Sequence, residues 1–365
     1  MSALSPRNPS SFSKGDWRWQ IASSMRSVGD LPPFLVAGHS SARIVEAAKR
    51  FPIAITPYYL SLIDENDPAD PIRRMAVPSP HELEHTQVLC EDPIAEEEFS
   101  PVPGLIRRYP DRAVLLVSGR CAVNCRHCTR RRLGRGRTTP LSADGFERAL
   151  GYLREHPEIR DVILSGGDPL LKEDTQLHGI LEKVRAISTV EIIRIGTRAP
   201  VTLPMRITDE LAFMLSRFHP LYVNTQFNHP REVTDEAREA AGRLVDAGIP
   251  VANQAVLLRG VNDNPRIMEE LCRSLLRIRV RPYYLFLCDL WNGIEHLRTS
   301  IDVGIEIMEH LRGRLSGLGI PQLIADLSGG IGKVPVGPDY IISKDKEKTV
   351  LRAPDGRIAV YPSPR

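Results

Sequence analysis

The sequence has no apolar run of the ~18 residues that a membrane-spanning helix needs. Its N-terminus, MSALSPRNPSSFSKGDWRWQ, lacks the apolar core of a secretory signal peptide. Neither sign of charge is in large excess: 48 Lys and Arg against 45 Asp and Glu give a net charge of +3. That charge is too small to indicate nucleic acid binding by itself. We therefore predict a cytoplasmic protein with no membrane partner, and we expect no nucleic acid partner.

Cysteine is also scarce, with six in 365 residues. Cys90, Cys272 and Cys288 are isolated, and cytoplasmic thiols stay reduced, so we expect no disulfide framework. The other three lie together in CAVNCRHCTRRR (121–132), as Cys121, Cys125 and Cys128. Such a cluster in a reducing compartment indicates a metal site or catalysis.

Six short apolar runs alternate with helical patterns from residue 113 onward. The predicted strands are 113–117, 161–165, 191–196, 221–227, 251–258 and 283–289. Alternating strands and helices indicate parallel β/α units, and six units are fewer than the eight of a closed TIM barrel. The sequence thus predicts an α/β fold, a partial (β/α)6 TIM-like barrel with its chemistry at the C-terminal strand ends. A doubly wound open sheet is the alternative.

Three regions are expected along the chain. Residues 1–106 read as a helical and extended segment that wraps the barrel, and residues 107–318 form the barrel itself. Residues 319–365 form a C-terminal extension with apolar QLIADL, a glycine-rich loop and short strands.

The spacing CxxxCxxC follows directly after the first barrel strand and its exit loop. Three thiolates on one loop suit three of the irons of a [4Fe–4S] cluster. Most such clusters have four cysteine ligands. The fourth iron then stays open for a substrate or cofactor. The alternatives are three buried thiols or a zinc site with a distant fourth ligand, although zinc favours paired Cys-x-x-Cys or Cys/His sets.

This motif, in that loop, resembles the radical S-adenosylmethionine (SAM) superfamily, whose open iron chelates SAM. SGGDP (165–169) at the end of the second strand matches the superfamily's glycine motif. The resemblance implies SAM contacts for Gly166, Gly167 and Asp168, and we also expect His127 and Gln254 there. The alternative for SGGDP is a tight turn with an N-cap aspartate.

A more specific resemblance extends from about residue 16 to residue 342. WRWQ, AITPYYLSLID, SPVPGL, RYPDR, CRHCTRRR, LSGGD, FNHP, LLRGVND, IRVRPYY, CDL and SGG-GK resemble, in order, the lysine 2,3-aminomutase family. Members are isomerases that use SAM, a [4Fe–4S] cluster and pyridoxal 5′-phosphate (PLP). They move an amino group from C2 to C3 of an amino acid.

The resemblance implies that Lys333, which ends SGGIGK, is the catalytic lysine that bonds to PLP. Val334 follows it, so the segment is not a Walker A phosphate loop. Arg108 and Arg112 are expected at the PLP phosphate, with Tyr109 against the ring. The alternatives are a surface lysine after a flexible loop and a solvated arginine pair.

The resemblance also implies substrate contacts. Arg130 matches the arginine that binds the substrate carboxylate, a task that suits the planar fork of the guanidinium. Asp289 and Asp326 match the two aspartates that bind the ε-ammonium group of lysine, a pair that glutamate-using relatives do not keep. We therefore expect a basic substrate, L-lysine first and arginine as the alternative.

Several positions depart from the family pattern. Asn264 replaces a zinc-binding cysteine, and the cysteine-rich tail of longer members is absent, so we predict no zinc. Gln226 stands where histidine is expected, Ile331 replaces a glycine, and Trp291 is expected to reshape the pocket beside the ammonium site. The short tail is also similar to the branch that serves elongation factor P, although WRWQ and AITPYYLSLID favour the free-lysine enzymes.

A radical enzyme also needs a one-electron reductant, such as flavodoxin or ferredoxin, and a homo-oligomer is expected. Two other classes compete with this interpretation. One is a PLP-independent radical SAM enzyme that modifies RNA, supported by TRRRLGRGR (129–137) alone. The other is a non-catalytic metal-binding or interaction protein.

Overall fold

The computed structural model describes residues 15–36, 41–84, 86–130, 133 and 139–364. Four arginines of the basic run, Arg131, Arg132, Arg135 and Arg137, lie outside these residues, as do residues 1–14 of the predicted N-terminal segment.

The N-terminal segment contains short helices joined by irregular chain, as predicted. They are α1 (Trp17–Ala22), α2 (Pro33–Val36), α3 (Ser41–Arg50), α4 (Pro57–Leu60) and α5 (Pro71–Ala76). Side chains cap three of them: Asp16, Thr56 and Asp70 each accept a hydrogen bond from a backbone N–H of the first turn. The buried residues Ile55, Tyr59 and Met75 then join this segment to the main core.

A nine-stranded sheet forms the body of the protein. Its strands are β1 (Leu105–Tyr109), β2 (Arg112–Ser118), β3 (Asp161–Gly166), β4 (Ile192–Gly196), β5 (Leu221–Thr225), β6 (Val251–Val256), β7 (Arg281–Phe286), β8 (Gln322–Leu327) and β9 (Gly332–Pro335). Spatial order follows chain order, with β2 to β8 parallel and β1 and β9 antiparallel at the two edges. A doubly wound sheet would reverse its strand order, so that alternative is wrong and the partial barrel is confirmed.

Helices alternate with the parallel strands. They are α6 (Ala143–Glu155), α7 (Asp174–Arg185), α8 (Ala199–Thr202), α9 (Asp209–Ser216), α10 (Asp235–Asp246), α11 (Pro265–Arg277) and α12 (Ile301–Leu311). Ser142, Thr208, Thr234 and Asn264 cap their N-termini with side-chain oxygens. All six predicted strands exist. After each β/α unit, the next strand runs parallel to the one before it.

The sequence interpretation missed one barrel strand. QLIADL is β8, a seventh parallel strand that pairs with β7 in the register Leu285↔Leu323. β9 then folds back on β8, placing Lys333 opposite Asp326. Two elements of the predicted C-terminal extension therefore belong to the main sheet, and the three-region division stays a prediction.

The remaining C-terminal strands form a separate antiparallel sheet. These are β10 (Ile341–Lys344), β11 (Lys348–Arg352) and β12 (Ile358–Pro362), in that spatial order. Across the described ranges, none of the helices combines the length and the apolar character that a membrane crossing requires.

Candidate active site

A cavity of about 520 Å³ extends along the inside of the barrel, from strand starts such as Arg112 and Asp161 to residues that follow the strand ends, such as Asp168 and Asp289. Every site residue predicted from the sequence lines this cavity. Carboxyl ends of parallel strands meet at one end of a barrel, so side chains distant in sequence converge there. The question is therefore how each side chain is held and what it contacts.

The cysteine loop is tied to the N-terminal segment by one buried arginine. Arg126, fully buried between two of the cysteine positions, donates from Nε and Nη2 to the Glu82 carboxylate at 2.8 and 2.5 Å. Its Nη1 also donates to the carbonyl oxygen of Phe51 at 3.0 Å. A bidentate buried pair fixes both position and orientation, so the loop is held on a rigid support.

The three thiols all face the cavity, and their surroundings favour a cation. Burial raises the pKa of the Cys121 thiol well above its usual value, and the neighbouring Cys128 and Asp168 charges add to this. Arg198 Nη1 donates to Cys125 Sγ at 2.7 Å, and the backbone amide of Arg130 donates to Cys128 Sγ at 3.3 Å. Three thiolates could be buried together only beside compensating positive charge.

In the described part of the chain, no three His, Cys, Asp or Glu side chains are close enough to share a single metal ion. A zinc site would need its ligands around one point. In a cubane cluster each iron takes one thiolate, so the three sulfurs stand further apart. Among the described residues, the three thiols therefore do not form a single-ion site of the zinc type.

The glycines of SGGDP bring β3 against the loop that carries the cysteines. Gly166 has φ +119, and a Cβ there would overlap the Ser118 carbonyl oxygen. A Cβ on Gly167 would overlap the Arg120 carbonyl oxygen and lie 2.7 Å from its nitrogen. Only glycine permits this approach, in which Gly167 N–H donates to Ser118 O at 2.7 Å.

Asp168 is engaged by protein donors. Its carboxylate accepts from Leu170 N at 3.0 Å, Thr197 Oγ1 at 2.7 Å and Arg198 N at 2.8 Å. It caps the short 3-10 helix Pro169–Leu171, which is the turn-and-cap alternative for this motif. Burial nevertheless raises the pKa of its carboxyl group. A direct contact of Asp168 with SAM stays a prediction.

His127 is buried, at 3% exposure, against the segment that follows β5. Its Nε2 lies 3.2 Å from the amide nitrogen of Gln226 and 3.2 Å from that of Asn228. Gln226, one of the departures from the family pattern, thus contacts His127, a predicted SAM residue. Gln254 projects from β6 into the same cavity.

The Lys333 amine lies over aromatic side chains of β7. Its Nζ is 4.9 Å from the ring centre of Phe286 and 5.9 Å from that of Tyr284. The side chain is open to the cavity, but surrounding protein atoms remove most of its water, which lowers its pKa to about 8. Asp326 and Asp289 oppose this effect and Arg108 adds to it. A fraction of the amine is therefore neutral and nucleophilic near neutral pH.

Tyr109 connects the lysine strand with the predicted phosphate arginines. Its hydroxyl accepts a hydrogen bond from the Lys333 backbone N–H at 3.0 Å. The guanidinium carbons of Arg112 and Arg108 lie 3.8 and 5.3 Å from the centre of its ring. Gly332, with φ +128, keeps a Cβ away from the Tyr109 hydroxyl. Tyr109 and the two arginines on its ring thus lie beside the backbone of the lysine that is predicted to hold PLP.

Two residues predicted for different ligands contact each other. Arg108 Nη2 donates to Asp326 Oδ2 at 2.8 Å, and both side chains are about one-tenth exposed. Asp326 Oδ1 also lies 2.8 Å from the same Arg108 Nη2. Among the described residues, Arg108 Nη1 is buried without a hydrogen-bond partner, which is rare in proteins, so this guanidinium has a donor left for a ligand.

Asp289, the other predicted ammonium ligand, is influenced by the charges of both Arg108 and Asp326. Burial raises the pKa of its carboxyl group to about 7, and the negative charges of Asp326 and Glu96 contribute. Lys333 and Arg108 act in the opposite direction. A carboxylate with so high a pKa is one that a bound cation would stabilise.

Glu96 is a site residue that the sequence interpretation missed. It is 5% exposed, and its Oε1 lies 3.1 Å from Nη2 of Arg130, the predicted substrate-carboxylate ligand. Arg130 Nη1 also donates to Ser165 Oγ at 3.2 Å. Glu96 stands in the run AEEEF, where nothing in the sequence separates it from its acidic neighbours. Only the folded chain shows that it faces the cavity.

Comparison with known proteins agrees with this site. The family model described as "Radical SAM superfamily" matches residues 115–271, and "Lysine-2,3-aminomutase" matches residues 308–365. L-lysine 2,3-aminomutase of Clostridium subterminale is 48% identical, over 96% of this chain and 84% of that protein.

The chain belongs to the lysine 2,3-aminomutase family.

Other members of the lysine 2,3-aminomutase family differ in their named substrates. The glutamate 2,3-aminomutase of Clostridioides difficile is 42% identical, over 94% of this chain and 82% of that protein. L-lysine 2,3-aminomutase of Escherichia coli is 35% identical, over 89% of this chain and 95% of that protein.

Family membership implies a [4Fe–4S] cluster, SAM and PLP. The side chains that line the cavity fit these three groups. Three thiols face one cavity beside the buried cation of Arg198, and Lys333 has a pKa of about 8 near two arginines. The buried Arg108 Nη1, without a partner among the described residues, adds an unused donor for an anion.

The positions that depart from the family pattern have specific places in the structure. Trp291 is 2% exposed, lies in the core and is not among the residues that line the cavity in the described chain. Its backbone forms a β-bridge with Cys90 and donates to Asp289 O at 3.0 Å, and its effect on the pocket stays a prediction. Asn264 caps α11, accepting from Arg266 N at 2.9 Å, and Ile331 is 79% exposed.

Proposed function

We propose that this protein is a radical SAM, PLP-dependent 2,3-aminomutase that converts L-lysine to β-lysine. The observation that supports it best is the arrangement within one cavity. A lysine amine with a pKa of about 8, a pair of carboxylates and three clustered thiols share about 520 Å³. An RNA-modifying radical enzyme has no need of that lysine or of the carboxylate pair.

Each group has an assigned partner. Cys121, Cys125 and Cys128 would hold the cluster, while Gly166, Gly167, Asp168, His127 and Gln254 would line the SAM site. Lys333, Arg108, Tyr109 and Arg112 would hold PLP. When bound, the cluster and SAM supply a hydrogen-abstracting radical, and PLP supplies the π-system through which nitrogen migrates.

The chain's own contribution is binding, orientation and the exclusion of water. Arg130 would bind the substrate carboxylate in place of part of its contact with Glu96. Asp289 and Asp326 would bind the far ammonium group, which lowers the pKa of Asp289 again. The enclosing strands keep the reacting carbon and nitrogen atoms in one orientation, and such positioning contributes strongly to rate.

The acidic pair favours a basic substrate. Glutamate would place a second carboxylate beside Asp289 and Asp326, where like charges repel. Arginine remains the second candidate, since its guanidinium would also suit two carboxylates. Service to elongation factor P is a further alternative for a lysine product.

The test is an anaerobic assay with reconstituted cluster, PLP, SAM and dithionite. L-Lysine, L-arginine, L-ornithine and L-glutamate are offered in parallel, and β-amino acids and 5′-deoxyadenosine are measured by mass spectrometry. We expect β-lysine. β-Arginine as the only β-amino acid would identify arginine as the substrate. An intact cluster that yields neither a β-amino acid nor 5′-deoxyadenosine would contradict the proposal.

Two variants check the residue assignments. Cys125→Ser should lose the cluster, whereas Cys272→Ser, altered at a buried cysteine on α11 outside the cavity, should keep it. Lys333→Ala should lose both PLP absorbance and product, and full activity in this variant would refute the PLP assignment.

The proposed enzyme needs a one-electron donor, such as flavodoxin or ferredoxin. A cytoplasmic location and a homo-oligomeric state stay predictions. Size measurement in solution and pull-down with reduced flavodoxin would test the oligomer and the donor.

A further inference from the structure

A buried arginine from outside the cysteine loop contacts one thiol of that loop. Arg198 follows β4 and immediately precedes α8, and it is 8% exposed. Its Nη1 donates to Cys125 Sγ at 2.7 Å. Arginine stays charged at all physiological pH values, so this contact brings a fixed positive charge to one thiol.

The rest of the guanidinium is also bound. Nε donates to the Gln226 carbonyl oxygen at 3.0 Å, and Nη2 donates to the Tyr59 hydroxyl at 3.0 Å and to Glu232 Oε1. The planar fork therefore bonds to four different groups at once. Such a guanidinium has little freedom to move away from Cys125.

Glu232 and Tyr59 form the support behind Arg198. Glu232 is fully buried, and its Oε2 accepts from the backbone N–H groups of Asn228 and His229 at 2.5 and 3.0 Å. The Tyr59 hydroxyl donates to Glu232 Oε1 at 2.6 Å. The carboxylate thus balances the buried charge of Arg198 and fixes its orientation.

Reduction of an iron–sulfur cluster adds negative charge, part of which resides on the sulfur ligands. Hydrogen bonds and positive charge at those sulfurs stabilise the reduced state more than the oxidised state, and so raise the reduction potential. The charged donor at Cys125 would act in this way on the proposed cluster.

We propose that Arg198 is a positioning residue that raises the reduction potential of the cluster through its hydrogen bond to Cys125. Tyr59 and Glu232 hold it in place. The proposal rests on the cluster assigned under the proposed function, and it adds a role in electron entry that precedes SAM cleavage.

The test is the midpoint potential of the reconstituted protein, measured by a redox titration monitored by electron paramagnetic resonance. Arg198→Met removes donor and charge at similar length, and we expect a shift to more negative potential. Arg198→Lys keeps the charge but loses the fork, and its potential should lie between the two. An unchanged potential in Arg198→Met would overturn the proposal.

The matched control is Arg185→Met. Arg185 donates to four backbone carbonyl oxygens, among them Val190 O at 3.0 Å and Phe218 O at 2.8 Å, at the start of β4 and β5. It lies at the opposite ends of these strands from the cysteine loop. Its loss should lower stability without moving the potential, and an equal shift there would also overturn the proposal.

If Arg198→Met does not bind a cluster, the potential is measured in Tyr59→Phe instead. It removes the hydroxyl that orients Arg198 but leaves the charge, and a smaller negative shift is expected. No shift in Tyr59→Phe and Arg198→Lys together would overturn the proposal. Iron content and absorbance are measured first: a wild-type protein that forms no cluster contradicts the proposed function, whereas a cluster with unmoved potential contradicts this inference alone.

Discussion

Arg108 and Asp326 form a buried ion pair, with Arg108 Nη2 2.8 Å from Asp326 Oδ2, although 218 positions separate them in the chain. The sequence assigns the first to a phosphate and the second to an ammonium group. In the structure they partly neutralise each other beside Lys333. We infer that the predicted phosphate site and the predicted ammonium site are electrostatically coupled. A change in either Arg108 or Asp326 should therefore alter the pKa of Lys333.

Replacement of Asp326 by asparagine should lower the pKa of Lys333 further. Burial lowers this pKa to about 8, and the Asp326 charge is the largest influence that opposes it. The amine should therefore become reactive at lower pH in Asp326→Asn. The rate at which an acylating reagent modifies Lys333, followed by peptide mass spectrometry between pH 6 and 10, measures this.

The wild-type profile should have its midpoint near pH 8. Asp111→Asn is the control, since Asp111 is an exposed partner of Arg112, whereas the charges that act most on the Lys333 pKa are those of Asp326, Arg108, Arg194 and Asp289. An unchanged or higher midpoint in Asp326→Asn would show that the coupling is wrong.

Lysine binding should weaken as pH falls through about 7. Burial and the charges of Asp326 and Glu96 raise the pKa of Asp289 to about 7, so below this pH its carboxyl group is protonated and neutral. The KM for L-lysine should thus rise from pH 8 to pH 6. In Asp289→Asn the KM should be high throughout and lose this dependence.

The same residue should affect stability in the opposite direction. A carboxyl group whose pKa is raised on folding makes the folded state less stable as pH rises from the unfolded pKa to the folded pKa, here from 3.8 to about 7, and the full loss is reached above that range. Asp289→Asn, without ligands, should therefore unfold at a higher temperature than the wild type at pH 8, and the gain should shrink toward pH 5. A lower melting temperature at pH 8 would contradict the assigned charge state.

Two adjacent glycines should respond differently to alanine. Gly329 and Gly330 have φ +72 and φ +71, so alanine at either position costs about 1–2 kcal/mol of backbone strain. A Cβ on Gly330 would also overlap the Phe99 ring and lie 3.2 Å from Ile94 O, whereas a Cβ on Gly329 meets no atom within 4 Å. Overpacking adds about 1–3 kcal/mol.

Gly330→Ala should therefore weaken PLP binding by displacing the loop before Lys333, and Gly329→Ala should bind PLP nearly as the wild type does. Absorbance titration with PLP and thermal unfolding measure both effects. Equal losses of PLP binding and stability in the two variants would mean that the positive φ alone, rather than contact with Phe99, determines the conformation of the loop.

Loss of Arg126 should destabilise the protein by about 3–5 kcal/mol, the cost of leaving a buried charge unpaired. Arg126→Met leaves the Glu82 carboxylate, at 1% exposure, without its guanidinium partner. Denaturant unfolding of the apoprotein measures the change. The double variant Arg126→Met, Glu82→Gln should recover part of the loss, and if it is no more stable than Arg126→Met the charge is not the cause.

The sequence pattern was enough to predict the barrel and the kinds of chemical group in its site. Apolar runs alternating with capped helices force parallel strands, and parallel strands bring their carboxyl ends together. Motifs after those strands, such as Cys121–Cys128 and SGGDP, were therefore bound to meet at one end. The match to a known family at Lys333 and Asp289 made the choice of chemistry specific.

The tertiary structure alone decided which groups pair. β8 was missed because QLIADL carries no signal that separates a seventh barrel strand from an apolar tail, and pairing with β7 is a long-range contact. Glu96, Arg198 and the Arg108–Asp326 pair were invisible for the same reason. A charged side chain acquires its partner, its burial and its pKa only when distant segments fold around it, and local sequence does not encode those neighbours.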